Sequence, residues 1–159
     1  MFTSLDSVKA VVLNDIGQVL GIRTRSKNMG NVVWGNAYED AFLWSKGQLQ
    51  ILPTLPGCTK TFAVGLNDKG QGIGYVDFVP NGGEKTPLPL LWQDGKVYSI
   101  NDLIPKNSGC ILTRPFVVSN AGEIVCHGYT NENERIGILH GSDTHTYLLT
   151  PLSGANTVK

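Results

Sequence analysis

LNDIGQVLG (residues 13–21) returns as LNDKGQGIG (residues 66–74) and, in degraded form, as SNAGEIVC (residues 119–126). A second phrase follows each copy: FLWSKGQLQIL (42–52), LLWQDGKVYSI (90–100) and ILHGSDTHTYLL (138–149). Gly17, Gly70 and Gly122 are 53 and 52 residues apart, and Trp44, Trp92 and His140 are 48 apart. Self-similarity at such a period marks stacked or radial repeat architectures. On this alignment His140 takes the place of two tryptophans and reads as a substituted packing position.

Helical periodicity is almost absent. Short runs of Val, Ile, Leu, Tyr and Trp are bounded by Gly, Asn, Asp and Pro, which is an all-β pattern. The first hairpin of a repeat runs from Lys9 to Leu13, turns at Asn14-Asp15-Ile16-Gly17, and returns from Gln18 to Ile22. Asn and Asp bond their own backbone in such turns, and Gly supplies the positive φ that closes them. The second hairpin runs from Ala41 to Trp44, turns at Ser45-Lys46-Gly47, and returns from Gln48 to Leu52. This predicts about four strands per repeat and about twelve in all. The hairpins are joined by connections that shorten along the chain: residues 23–40, 77–87 and 131–135. Pro53, Pro56, Pro105 and Pro115 are read as punctuating the links between repeats, where a missing N–H costs no ladder bond. Repeats over about residues 8–55, 61–105 and 113–152 make one domain of residues 1–152, and residues 153–159 read as a flexible tail.

Composition narrows the function classes. A net charge of zero with 16% charged residues leaves no electrostatic footprint for nucleic acid or an anionic membrane. No run approaches the roughly 18 apolar residues of a membrane-spanning helix, and MFTSLDSVKAVV lacks the features of a signal peptide. Three cysteines, an odd number, exclude a complete disulfide framework. Cys58 and Cys110 are repeat equivalents, each placed five residues before the strand that opens the next repeat, and they read as buried or half-buried thiols. Cys126 takes the place of Gly21 and Gly74 and reads as a strand residue, with His127 turned to the opposite face.

The phrases Asn-Asp-x-Gly-Gln-Val and Ala-Phe-Leu-Trp-x-x-Gly, followed by Leu-Pro-Thr-Leu-Pro-Gly, resemble the HAF repeat of bacterial extracellular repeat proteins. So do residues 100–125 and the run Tyr147-Leu148-Leu149-Thr150-Pro151. The resemblance covers most of residues 8–152. It implies a β-propeller-like arrangement and an extracellular or cell-surface setting, but no activity. Gly72 in place of Val and the weakened third repeat depart from its pattern.

Three repeats pose a problem of closure, since propellers have roughly four to eight four-stranded blades. Three propeller-like blades are half of a six-bladed ring closed by homodimerisation, or the end of a longer propeller. A β-trefoil is the alternative, because it too holds twelve strands in three repeats.

The Asn-Asp pairs read as turns rather than calcium sites, since calcium takes six to eight converging oxygens. His140, His145, Asp143 and His127 are the one plausible metal set, and no metal or cofactor is expected. Nor does any nucleophile elbow, phosphate loop or paired Cys-x-x-Cys occur. Trp44 and Trp92 read as packing between blades. Trp34 has no repeat equivalent and lies with Tyr38, Glu39 and Asp40 in the long first connection, a mixture of aromatic faces and acids suited to a sugar or a protein partner. Asp77 and His140 complete the candidate ligand-binding set. The sequence therefore reads as a non-enzymatic, lectin-like binding module for a glycan or protein partner. The alternatives are a structural protein pairing through blade edges, and a hydrolase using Glu39, Asp40, Asp77 and Glu84.

Overall fold

The computed structural model describes residues 8–25, 38–58, 60–78, 86–130 and 144–152. Its eleven strands are β1 (Val8–Leu13), β2 (Val19–Arg25), β3 (Tyr38–Ser45), β4 (Gln48–Ile51), β5 (Thr61–Leu66), β6 (Gly72–Phe78), β7 (Thr86–Gln93), β8 (Lys96–Ser99), β9 (Cys110–Val118), β10 (Ile124–Thr130) and β11 (His145–Leu149). They form three antiparallel sheets, ordered β1-β2-β3-β4, β5-β6-β7-β8 and β11-β10-β9. Each sheet is an up-and-down meander of one repeat, and no α-helix occurs among the described residues. A trefoil would pair strands of different repeats in one barrel. Among the described residues the only bridge between repeats is the isolated one from Glu39 to Lys60.

The local chemistry accounts for the hairpins. Gly17, Gly70 and Gly122 close the first turns at φ of 80°, 76° and 88°. Each accepts the left-handed backbone that costs an L side chain energy. In the second hairpins both central residues have positive φ, Lys46 at 50° with Gly47 at 83° and Asp94 at 52° with Gly95 at 73°. That is the type I′ geometry matching the twist of a hairpin. Every first hairpin also carries a bulge at one repeat position. The register slips at Val11 between Ala10 and Val12, at Val64 between Ala63 and Gly65, and at Phe116 opposite the step from Val125 to Cys126.

The sheets stack face to face, with an apolar layer at each junction. Leu20, Ala41, Ala63, Leu66, Val76, Leu90 and Trp92 fill the first junction, between sheets one and two. Ile73, Leu91, Leu112, Val118, Ile124 and Cys126 fill the second. Trp92 is the packing residue expected, 2% exposed, with its indole N–H donating to the Pro53 carbonyl at 2.8 Å. Trp44 lies on the outer side of the first sheet and is only half-buried.

Several expectations for the repeats are corrected. Val19 pairs with Trp44, Gly72 with Trp92, and Ile124 with Leu149, so Leu149 rather than His140 holds the tryptophan position. The strand pairing with β10 on its other side is β11, which begins at His145, and the expected connection over residues 131–135 lies outside the described residues. The matching of residues 138–149 to a whole second hairpin failed because Tyr147-Leu148-Leu149 alone reproduces the apolar step of Phe42-Leu43-Trp44. The first two expected connections, residues 23–40 and 77–87, are trimmed at both ends, since β2 runs to Arg25, β3 begins at Tyr38, β6 runs to Phe78 and β7 begins at Thr86. Finally, β9 begins at Cys110, so that residue lies in the strand rather than five residues before it, and the strand contains Pro115. Pro115 is tolerated inside the strand because β9 is an edge strand and the register slips beside it. The third sheet has three strands among the described residues, not four, and the proposed tail lies outside them.

Valine at Gly17 or Gly70 places a β-branched side chain at positive φ. Each substitution is expected to cost about 1–2 kcal/mol of unfolding free energy in urea denaturation. A neutral result at either position would remove the turn assignment there.

Candidate functional site

Strands alternate in direction, so the stack has two different ends. At one lie the first-hairpin turns and the tight second turns. At the other lie the β2–β3, β6–β7 and β10–β11 connections.

The turn end is a hydrogen-bonded ladder. Asn14 Oδ1 accepts the Gln18 N–H at 2.8 Å, and its amide donates to Gln18 Oε1 at 2.8 Å. The same amide donates to the carbonyl of Asn67, in the next sheet, at 2.9 Å. Asn67 repeats the set, accepting the Gln71 N–H at 2.9 Å and donating to Gln71 Oε1 at 2.6 Å and to the Ser119 carbonyl at 2.9 Å. Beside it, the Asp15 N–H donates to Asp68 Oδ1 at 2.9 Å, and the Asp68 N–H donates to Asn120 Oδ1 at 2.8 Å. In the third turn Ser119 Oγ accepts the Glu123 N–H at 3.1 Å and donates to Glu123 Oε2 at 3.2 Å. A hydroxyl has one hydrogen where a primary amide has two. Ser119 thus closes its own turn with nothing left to donate onward.

The Asn-Asp pairs are turns, as their residue types suggested, and they are also the polar joints between repeats. Sequence reading missed the second role, although the spacing Asn14…Gln18, Asn67…Gln71 and Ser119…Glu123 carries its signal. Asn67→Ser keeps the turn bonds in the manner of Ser119 and loses the bond across the junction. It is expected to cost about 1 kcal/mol, and Asn67→Ala about 1–3 kcal/mol, both read from urea denaturation.

The other end gathers the expected ligand-binding positions that can be placed. Tyr38, Glu39 and Asp40 open β3, where their backbones pair with Arg25, Thr24 and Arg23. Asp77 is the penultimate residue of β6 and pairs with Pro87. By register it is the equivalent of Thr24, so both positions border a long connection at the same end. Trp34, His140 and Glu84 lie outside the described residues. Among the described residues no three His, Cys, Asp or Glu side chains come together as a metal-binding group. His127 packs edge-on against Phe116 with centroids 4.1 Å apart, and His145 lies 6.2 Å from Tyr147. No helix among the described residues is long and apolar enough to cross a membrane.

The cysteines are free thiols: Cys58 and Cys110 are half-buried and Cys126 is buried. At the Gly74 position an added Cβ would collide with the Phe62 carbonyl and come within 2.6 Å of the Trp92 ring. In the third sheet Leu149 takes the tryptophan position, and Cys126, at the glycine position, is fully buried in the second apolar layer. Burial pushes its thiol up to about 12, so the thiolate needed for nucleophilic chemistry is suppressed. A thiol pKa raised on folding stabilises the fold fully below the unfolded value of 9.0 and loses that contribution as pH rises towards about 12. Stability in urea is expected to fall between pH 8 and pH 11, and to fall less in Cys126→Ala. Equal losses in the two proteins would count against the burial effect.

Compared with protein-family profiles, with curated proteins and with solved structures, the chain matches none of them.

Proposed function

We propose that this chain is a non-enzymatic repeat scaffold of the HAF-like, propeller-like kind, which presents the loops of one end to a glycan or protein partner. One observation carries the reading: the strand ends bearing Tyr38, Glu39, Asp40 and Asp77 all border the connections at a single end of the stack. Loops held side by side on a rigid sheet scaffold are where binding residues concentrate. The opposite end suits that role less well, because its amides are consumed in the ladder between sheets.

A second reading, assembly with another copy, has its own support. Large apolar side chains stand exposed on the outer sheets, among them Leu13, Ile16, Phe116, Val117 and Leu148. In this reading two chains complete a six-bladed homodimer. The two readings are compatible, since a closed ring would bring two loop ends to one surface.

Trp34→Ala and Asp77→Ala are expected to leave unfolding in urea within about 0.5 kcal/mol of the parent chain. Both should abolish retention on a glycan array or loss-free capture of a soluble protein partner. If the parent chain shows no binding at high valency, the loop-end reading fails. If Trp34→Ala unfolds the protein, Trp34 belongs to the core and not to the contact surface.

A further inference from the structure

The outer faces of the first and third sheets expose apolar residues at positions that are buried in the junction occurring twice inside the chain, although Phe42 on the outer face of the first sheet is itself fully buried. Leu66 and Val118 occupy one repeat position and are 8% and 7% exposed, each turned towards the preceding sheet. Their equivalent in the first sheet, Leu13, has no preceding sheet among the described residues and is 66% exposed. Trp92 is buried in the first junction, and its equivalent Trp44 lies half-buried on that same outer face.

The other half sits on the third sheet. Leu43 and Leu91 pack towards the following sheet in the first and second junctions. Their equivalent, Leu148, is 63% exposed. Leu20 and Ile73 are fully buried in those same junctions, whereas their equivalent Val125 is only half-buried. The apolar halves are therefore complementary in kind and in position.

The polar ladder shows the same open ends. Inside the chain the N–H of Asp15 and of Asp68 each crosses a junction to a side-chain oxygen of the next turn. Asn120 stands at the donor's place in the third turn, and Asp15, whose carboxylate is exposed, stands at the acceptor's place in the first. The amide bond of Asn14 and Asn67 has no counterpart at Ser119, whose one hydrogen goes to Glu123. A junction between third and first sheets would keep one of its two polar bonds and lose the other.

We infer that a second copy of this chain docks head to tail, the third sheet of each copy stacking on the first sheet of the other, with the Asn120 N–H donating to the partner's Asp15 carboxylate. The inference rests on the assembly reading and replaces pairing through blade edges by stacking of blade faces. Closure favours two copies, because six is the only multiple of three within the roughly four to eight blades of a propeller ring. A two-fold ring contains two identical head-to-tail junctions. Ser119 marks the boundary between copies: junctions inside a chain carry the amide bond, and junctions between chains do not.

The test is sedimentation equilibrium of the full chain and of three variants, with urea denaturation to check that each is folded. The parent chain is expected at twice the monomer mass at about 100 µM, the range where a weak interface is populated. Leu13→Asp and Leu148→Asp, on opposite faces, should each weaken association by more than about tenfold. Mixing them should restore part of it, since one junction in the mixture is unmodified. Asp15→Ala, which leaves the Asp15 N–H bond to Asp68 in place, should weaken association by up to about tenfold. A monomeric parent chain overturns assembly altogether, as when another segment of the same chain covers these faces. A dimer sensitive to Leu13→Asp but not to Leu148→Asp, or the reverse, retains assembly and overturns the head-to-tail arrangement, because only a face-to-face pair uses one of the two surfaces.

Discussion

The fold depends on a property of asparagine: a primary amide carries two hydrogens and can serve two turns at once. One hydrogen of Asn14 and of Asn67 closes the residue's own hairpin through a glutamine. The other reaches the backbone carbonyl of the next repeat. Apolar layers hold the sheets together without direction, whereas these bonds set which turn lies above which. They also give the stack a polarity, donor sheet to acceptor sheet. A buried carbonyl deprived of its donor is costly, so the joint resists sliding as well as separation.

That polarity makes the two faces of every sheet chemically different. The middle sheet is covered on both sides, and β5 accordingly alternates only between buried and half-buried residues. β1 of the first sheet is mostly exposed although it has almost the same sequence pattern. The same residue types thus form a core in one repeat and a surface in another. Position in the stack makes the difference, since among the described residues only the middle sheet has a sheet on each side.

Replacement at the third repeat follows a physical logic. Leu149 stands where the other repeats have tryptophan, and Cys126 stands where they have glycine. Both positions belong to the buried second layer, where burial suppresses the thiolate of Cys126. Ser119 for asparagine follows the same pattern on the polar side, keeping the turn and giving up the onward donor. A degraded copy of the repeat is in these respects a well-satisfied unit.

Much of this was legible in the sequence. Residue types and spacing alone determined the all-β class, the three repeats, the glycine turns and the packing role of Trp92, because hairpin chemistry is local and repeats announce themselves by identity. Tyr38, Glu39, Asp40 and Asp77 were expected in connections and lie instead in the ends of β3 and β6, and their place at one end of the stack follows from strand alternation across the sheets. Only the tertiary structure decided that Leu149 and not His140 aligns with the tryptophans, because register is set by pairing partners and the third phrase fits two alignments equally well. It alone showed that Asn14 reaches Asn67 and that Leu13 faces outward while Leu66 faces a neighbour. Those are contacts between residues some 52 or 53 positions apart, and no local pattern distinguishes a face that has a neighbour from one that lacks it.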